Sequence, residues 1–163
     1  MNYKPQIDKL LEIESEIRGL KKKKMKLSEE IFSQFIKWIF IDNPKLESFS
    51  WPQYTPYYND DLDPGFKAYL DYLSVNGEPI EEANWYQKRT ITTLGTWNPN
   101  TKEYDGQITE ENRNYDQVLS DLADEISLFL GNFEDIFYLN RFGDHAEVTI
   151  TKKGVQICEI DHE

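Results

Sequence analysis

The sequence predicts an α+β protein with a helical segment over residues 1–43 and an α+β domain over residues 44–163. Three observations support this prediction. Apolar residues recur at helical spacing from residue 7 to residue 41, and a wide apolar stripe marks a second helix at residues 110–130. Apolar and polar residues alternate on both sides of Gly154, as is typical of a β-hairpin. We therefore expect an antiparallel sheet, including the C-terminal hairpin, that packs against the helix of residues 110–130.

The N-terminal segment has a narrow apolar seam, which is typical of helices that pair. Ser28 precedes Glu29 and Glu30 and has the form of a helix N-cap, so one long helix and a helical hairpin both fit the pattern. Asn43 and Pro44 are expected to end the segment. Three- and four-residue spacings alternate along the seam, and only Lys24 interrupts it. The seam consists of Leu10, Ile13, Ile17, Leu20, Leu27 and Ile31.

The middle of the chain predicts short strands and turns. Residues 48–53 alternate like a strand, and Pro52 would confine that strand to a sheet edge or a bend. Residues 66–75 fit either a strand or a short helix. Asn76 and Gly77 are typical of a two-residue hairpin turn.

The C-terminal third predicts a helix, a strand and a hairpin in that order. Thr109 would cap the helix of residues 110–130, and Gly131 would end it. Residues 133–139 have the apolar character of a buried strand. Residues 146–151 and 155–160 are expected to pair as a hairpin.

Composition excludes several classes of protein. The 163 residues contain 30 acidic and 18 basic groups, a formal charge of −12, which argues against direct binding to nucleic acids or to anionic membranes. No apolar run approaches the ~20 residues that span a bilayer, and the N-terminus does not have the pattern of a signal sequence, so a cytoplasmic protein is expected. A single cysteine, Cys158, excludes an intramolecular disulfide and a cysteine-based zinc site.

The charge is unevenly distributed along the chain. Residues 1–30 contain eight basic and six acidic groups, a charge of +2, so the remaining residues carry −14. A concentrated negative field steers association with basic surfaces. A partner protein with a basic surface is therefore the expected partner.

The two histidines, His145 and His162, suggest a metal site, because each directly follows an aspartate, Asp144 or Asp161. The predicted hairpin would bring residue 145 opposite residue 160, 161 or 162. Two imidazoles and two carboxylates on directly opposite strand residues could bind a divalent metal or act as an acid and base pair. The alternative is a polar turn and a polar chain end.

A second candidate site lies in an aromatic segment that also carries amide and carboxylate groups. Such side chains suit stacking on a nucleotide-like ligand or binding to a protein hot spot, and an aromatic core beside a turn is the alternative. The predicted binding residues are Trp51, Gln53, Tyr54, Tyr57, Tyr58, Asn59 and Asp60.

Three motifs resemble those of an uncharacterised group of small proteins encoded by phages and bacteria. They are W-P-Q-Y-T-P-Y-Y-N-D at residues 51–60, F-G-D-H at residues 142–145 and D-H-E at residues 161–163. Members of that group tend to have glycine where this chain has Asp61, so the local turn can differ. The resemblance implies a phage or mobile-element setting, in the host cytoplasm, and no particular reaction.

Three functional hypotheses follow. The first is an accessory protein of phage type that binds, and inhibits, a host defence or nucleic-acid-handling protein through its acidic surface. The second is a small metal-dependent enzyme or nucleotide-like ligand-binding protein that uses the histidine and aspartate cluster. The third is a structural homo-oligomer formed through residues 7–31.

Overall fold

The computed structural model describes residues 3–56, 65–93, 95–104 and 106–161, and the chain divides into two compact units, residues 1–43 and 44–163. The first unit is one continuous helix, α1 (Lys4–Asp42). Of the two arrangements that the sequence left open, the single helix is the one observed. Lys, Leu and Glu, which are strong helix formers, predominate around Ser28 and favour continuing the helix over capping a new one.

The second unit contains ten strands and two further helices among the described residues. The central strand β1 (Ser48–Tyr54) pairs antiparallel with β2 (Lys67–Ala68) and β3 (Ser74–Val75) on one side and with β9 (Ala146–Thr151) on the other. With β4 (Glu78–Pro79) and β10 (Gly154–Glu159) at its two ends, the order in this sheet is β10-β9-β1-β3-β4, with β2 also on β1. The remaining elements are β5 (Arg89–Thr93), β6 (Trp97–Asn98), β7 (Glu103–Tyr104), β8 (Gln107–Glu111), α2 (Gln117–Leu130) and α3 (Asp135–Phe142).

The predicted α+β fold, with an antiparallel sheet that includes the C-terminal hairpin and a helix packed on it, is confirmed. Side chains on one face of the sheet alternate into the core from β1 and β9, and α2 contributes an apolar stripe at helical spacing. The buried residues of these three elements are Phe49, Trp51, Gln53, Ala146, Val148, Ile150, Ser120, Leu122, Ala123, Ile126 and Leu130.

Pro52 lies inside the sheet, so its assignment to an edge or a bend was wrong. Its carbonyl accepts a hydrogen bond from the backbone N–H of Tyr69 at 2.9 Å, on the side where β2 and β3 leave a gap. The missing N–H of Pro52 points to that same side, because the N–H and C=O of one strand residue share a side. The ladder between β1 and β9 therefore loses no hydrogen bond.

Both predicted hairpins are present, and local turn chemistry explains them. Asn76 and Gly77 connect β3 to β4 with φ values of 53° and 81°, the left-handed pair that a type I′ turn requires. Lys152 and Lys153 connect β9 to β10, and Gly154 has φ 136°. The last strand begins at Gly154, one residue earlier than expected.

The start of the second helix was predicted seven residues too early. Residues 107–111 form β8, which pairs with β5, and α2 begins at Gln117. Asp116 rather than Thr109 is the N-cap, since its carboxylate accepts hydrogen bonds from the N–H groups of Val118 and Leu119. The acidic residues before Asn112 have the composition of a first helical turn, but strand pairing overrides that preference.

Residues 133–139 were predicted as a strand, and this was wrong. Most of them belong to α3, in which Phe137, Tyr138 and Phe142 are buried at helical spacing. A short apolar run does not distinguish a strand from a buried helix. Residues 66–75 form two short strands, β2 and β3, separated by a single 3₁₀ turn at Leu70–Tyr72.

Candidate functional site

Trp51 and Gln53, two of the predicted binding residues, are fully buried in the core. The indole N–H of Trp51 donates to Gln53 Oε1 at 3.1 Å, and the Gln53 amide donates to the backbone carbonyls of Tyr138 and Gly143 at 3.3 and 2.5 Å. The Trp51 ring makes edge contacts with Tyr138 and Phe142, with ring centroids 5.7 and 5.6 Å apart. The two side chains therefore pack in the core and present no surface to a ligand.

Tyr54, the next predicted binding residue, is half-buried and stacks on Tyr69. Their ring centroids lie 4.1 Å apart with an interplanar angle of 19°, and Lys67 Nζ lies 5.6 Å from the centre of the Tyr69 ring. Burial, followed by a hydrogen bond with Tyr54, raises the pKa of the Tyr69 hydroxyl. The four other predicted binding residues, Tyr57, Tyr58, Asn59 and Asp60, lie outside the described residues.

Asp144 joins the chain after β1 to the turn before β9. Its carboxylate accepts hydrogen bonds from the N–H and the hydroxyl of Thr55, both at 2.8 Å, and from the N–H of His145 at 2.8 Å. Burial alone would raise the pKa of Asp144, but these hydrogen bonds to the charged form outweigh it and lower the pKa. The contact between Thr55 and Asp144 thus joins two of the segments that carry the motifs, the one that contains Thr55 and residues 142–145.

The register of the C-terminal hairpin places His145 opposite Ile160, whose N–H donates to the His145 carbonyl at 2.8 Å. His145 Nε2 lies 3.8 Å from Asp144 Oδ2. Asp161 is exposed, and His162 lies outside the described residues. Within residues 3–56, 65–93, 95–104 and 106–161, no three His, Cys, Asp or Glu side chains are grouped as a metal site requires.

A cleft that the sequence did not indicate lies beside α2. It has a volume of about 330 Å³, and its polar lining includes three carboxylates, those of Asp71, Glu81 and Asp124. Carboxylates around an open cleft favour a guanidinium or ammonium group as the occupant. The full lining is Leu70, Asp71, Leu73, Ile80, Glu81, Tyr86, Asp124 and Ser127.

Hydrogen bonds hold one wall of the cleft in place. The Tyr86 hydroxyl donates to Asp124 Oδ1 at 2.6 Å, and the Ser120 hydroxyl donates to the Tyr86 carbonyl at 3.2 Å. The bond to Asp124, followed by burial, raises the pKa of Tyr86. Tyr86 therefore stays neutral at physiological pH and leaves the second oxygen of Asp124 as an acceptor.

Sequence spacing could not have identified the cleft, because its three acidic residues come from separate elements. Asp71 lies in the 3₁₀ turn after β2, Glu81 in the 3₁₀ turn Ile80–Glu82 after β4, and Asp124 in α2. The available signal was the charge of this part of the chain. Residues 1–43 contain nine basic and seven acidic groups, a charge of +2, whereas residues 44–163 contain nine basic and 23 acidic groups, a charge of −14.

Comparison of the chain with protein-family models, with curated proteins and with solved structures finds no significant match. None of the helices among the described residues combines the length and the apolar composition that spanning a bilayer requires.

Proposed function

We propose that this chain is a phage-type or mobile-element accessory protein that binds a basic surface of a host protein through residues 44–163 and thereby inhibits it. The acidic cleft would receive an arginine or lysine side chain of that partner. The setting rests on the resemblance of residues 51–60, 142–145 and 161–163 to phage and bacterial proteins. The binding mode rests on charge and on the cleft.

The observation that carries the proposal is the coincidence of charge with architecture. All of the excess negative charge belongs to one compact unit, residues 44–163. A field of one sign concentrated on one unit accelerates encounter with an oppositely charged surface. The same field repels polyanions. A protein that normally handles nucleic acid has a basic surface, and such a protein is therefore a suitable target.

The cleft supplies a place for a specific contact within this general field. Asp71 and Glu81 line it with exposed side chains, and Asp124 is oriented by the Tyr86 hydroxyl. A guanidinium donates up to five hydrogen bonds in a planar fork, which several separate carboxylates can accept together. We therefore expect arginine to be preferred over lysine.

A fluorescent hexaarginine peptide provides a defined probe for this proposal, with hexalysine for comparison. Fluorescence anisotropy would measure binding at about 50 mM and about 500 mM salt, a range over which screening changes strongly. The test variant is Asp71→Asn/Glu81→Gln/Asp124→Asn. A matched control, Glu103→Gln/Glu110→Gln/Glu111→Gln, removes the same charge from exposed positions outside the cleft.

We expect the cleft variant to bind hexaarginine about tenfold more weakly than the control does, since three exposed ion pairs of roughly 0.5 kcal/mol each give about that factor. Affinity that is unchanged at high salt would exclude the electrostatic mode. Equal losses in the two variants would leave a general acidic surface and remove the cleft from the proposal. Capture from host lysate, with the cleft variant as the comparison bait, would then identify the partner.

A further inference from the structure

The N-terminal part of α1 exposes the heptad seam of Leu10 to Ile31, which only Lys24 interrupts. Residues 3–24 are all exposed, and the seam residues between Leu10 and Ile31 are between 43% and 64% exposed. In heptad terms, positions a are Leu10, Ile17, Lys24 and Ile31, and positions d are Ile13, Leu20 and Leu27. A helix that exposes such a seam gains stability by burying it against another helix.

We propose that α1 pairs with α1 of a second copy of this chain as an antiparallel two-stranded coiled coil in a single register. In that register Leu10 faces the partner's Leu27, and Ile17 faces the partner's Leu20. Positions a of one helix thus face positions d of the other along the seam. This pairing is independent of the proposed binding activity, which rests on residues 44–163.

Charge complementarity favours this register over the neighbouring antiparallel registers. In an antiparallel pair, position g faces position g and position e faces position e, and these flanking charges set partner and orientation. In the proposed register every charged flanking pair is attractive, and each occurs twice by symmetry. The pairs are Lys9 with the partner's Glu30, Glu14 with the partner's Lys21, and Glu16 with the partner's Lys23.

Antiparallel registers shifted by one heptad are repulsive. A shift in one direction places Glu14 opposite the partner's Glu14 and Glu16 opposite the partner's Glu16. A shift in the other direction places Lys21 opposite the partner's Lys21 and Lys23 opposite the partner's Lys23. Like charges at these positions destabilise the pair, so a single antiparallel register remains.

A parallel pair is less favourable because of Lys24. Parallel, in-register helices place Lys24 opposite the partner's Lys24 inside the apolar seam, which buries two like charges together. The antiparallel register separates these lysines and places each against the partner's Ile13. It also has three kinds of attractive flanking pair, whereas a parallel pair has two, Lys9 with the partner's Glu14 and Glu16 with the partner's Lys21.

Sedimentation equilibrium of the full chain tests the pairing. We expect a dimer that Leu20→Glu dissociates, with a dissociation constant raised at least tenfold. The matched control is Leu11→Glu, which changes an equally apolar side chain that is 53% exposed but lies off the seam, and which should leave the dimer intact. A monomeric wild-type chain at high concentration, or equal effects of the two substitutions, would overturn the proposal.

Charge reversal tests the orientation. Glu16→Lys should weaken the dimer, and Glu16→Lys/Lys23→Glu should restore it, because the antiparallel contact is then only inverted. In a parallel pair Glu16 would instead face the partner's Lys21, so the double variant would stay weak. Failure of the double variant to recover would therefore overturn the antiparallel register.

Cross-linking gives a direct readout of the register. In a Cys158→Ser background, we expect a mixture of Leu10→Cys and Leu27→Cys chains to form a disulfide between the two types of chain. Leu10→Cys alone should not cross-link, because its two copies would lie about 25 Å apart, at 1.5 Å for each of the intervening residues. Cross-linking of Leu10→Cys with itself would establish a parallel pair and overturn the inference.

Discussion

The side-chain amide of Gln53 donates a hydrogen bond to the backbone carbonyl of Gly143 at 2.5 Å, and so joins the central strand to the loop between α3 and β9. The same amide also donates to Tyr138, and its oxygen accepts from the Trp51 indole. A buried glutamine therefore satisfies three other polar groups in the core. A buried polar group is tolerated only when it is hydrogen-bonded in this way.

Gln53→Leu should lower the free energy of unfolding by roughly 1–3 kcal/mol. Leucine fills similar space but leaves the Trp51 N–H and the carbonyls of Tyr138 and Gly143 without this partner in an apolar environment. Urea unfolding followed by circular dichroism would measure the change. Gln156→Leu, at an exposed position of β10, is the control and should change stability by well under 1 kcal/mol. Equal effects of the two substitutions would contradict this role of Gln53.

Gly143→Ala should also destabilise the second unit, by about 1–3 kcal/mol. Gly143 has φ 85° and ψ 179°, a region of backbone space that is essentially restricted to glycine. A Cβ there would meet no atom within 4 Å, so the cost is one of backbone conformation and not of crowding. Thermal unfolding monitored on the second unit would measure it, and an unchanged midpoint would show that the loop relaxes.

The same substitution at Gly19 should have the opposite sign. Gly19 lies in the interior of α1, and its Cβ position is equally open. Alanine is favoured over glycine inside a helix by about 1 kcal/mol. Slower hydrogen exchange of the α1 amides in Gly19→Ala is the expected result, and faster exchange would contradict it.

Apolar spacing and turn residues correctly predicted the elements that depend mainly on residues close together in the sequence. The seam from Leu10 to Ile31 predicted a helix, and the Asn76–Gly77 and Gly154 turns predicted two hairpins because left-handed backbone favours those residues. These local signals failed where pairing with a strand distant in the sequence determines the secondary structure. Arg89 pairs with Glu111 across β5 and β8, so residues near Thr109 join a strand rather than a helix.

The candidate site was less predictable for the same reason. Trp51 and Gln53 have the composition of a binding site, but the alternation that identifies β1 also places them on its inner face. The acidic cleft combines Asp71, Glu81 and Asp124 from elements that no sequence spacing connects. Only the charge of residues 44–163 pointed to it.

Asp144 should make stability depend on pH in the acid range. Its pKa is lowered in the folded state, so its contribution is complete above the unfolded value of about 3.9 and is lost as pH falls through the folded value. Urea midpoints measured from about pH 5 downward should therefore fall more steeply for the wild type than for Asp144→Asn. Asp121→Asn, an exposed carboxylate of α2, is the control. Parallel curves for the wild type and Asp144→Asn would contradict the role of the Thr55 contacts.

Asp116 has two separable roles, and two substitutions should resolve them. Its carboxylate caps α2 through Val118 and Leu119 and also binds Lys45 Nζ at 2.6 Å. Asparagine caps a helix nearly as well as aspartate but carries no charge, whereas alanine can do neither. Stability should therefore fall in the order wild type, Asp116→Asn, Asp116→Ala.

One of the two differences between these variants should depend on pH. The hydrogen bond from Lys45, and then that from Leu119, lowers the pKa of Asp116, so the advantage of aspartate over asparagine is present above pH ~3.9 and disappears as pH falls through the lowered folded value. The capping advantage of asparagine over alanine does not titrate and should persist throughout. Hydrogen exchange of the Val118 and Leu119 amides would measure both the charge-dependent contribution and the capping contribution. If Asp116→Asn and Asp116→Ala exchanged equally fast near neutral pH, the cap would contribute nothing, and the Lys45 contact alone would explain the position of Asp116.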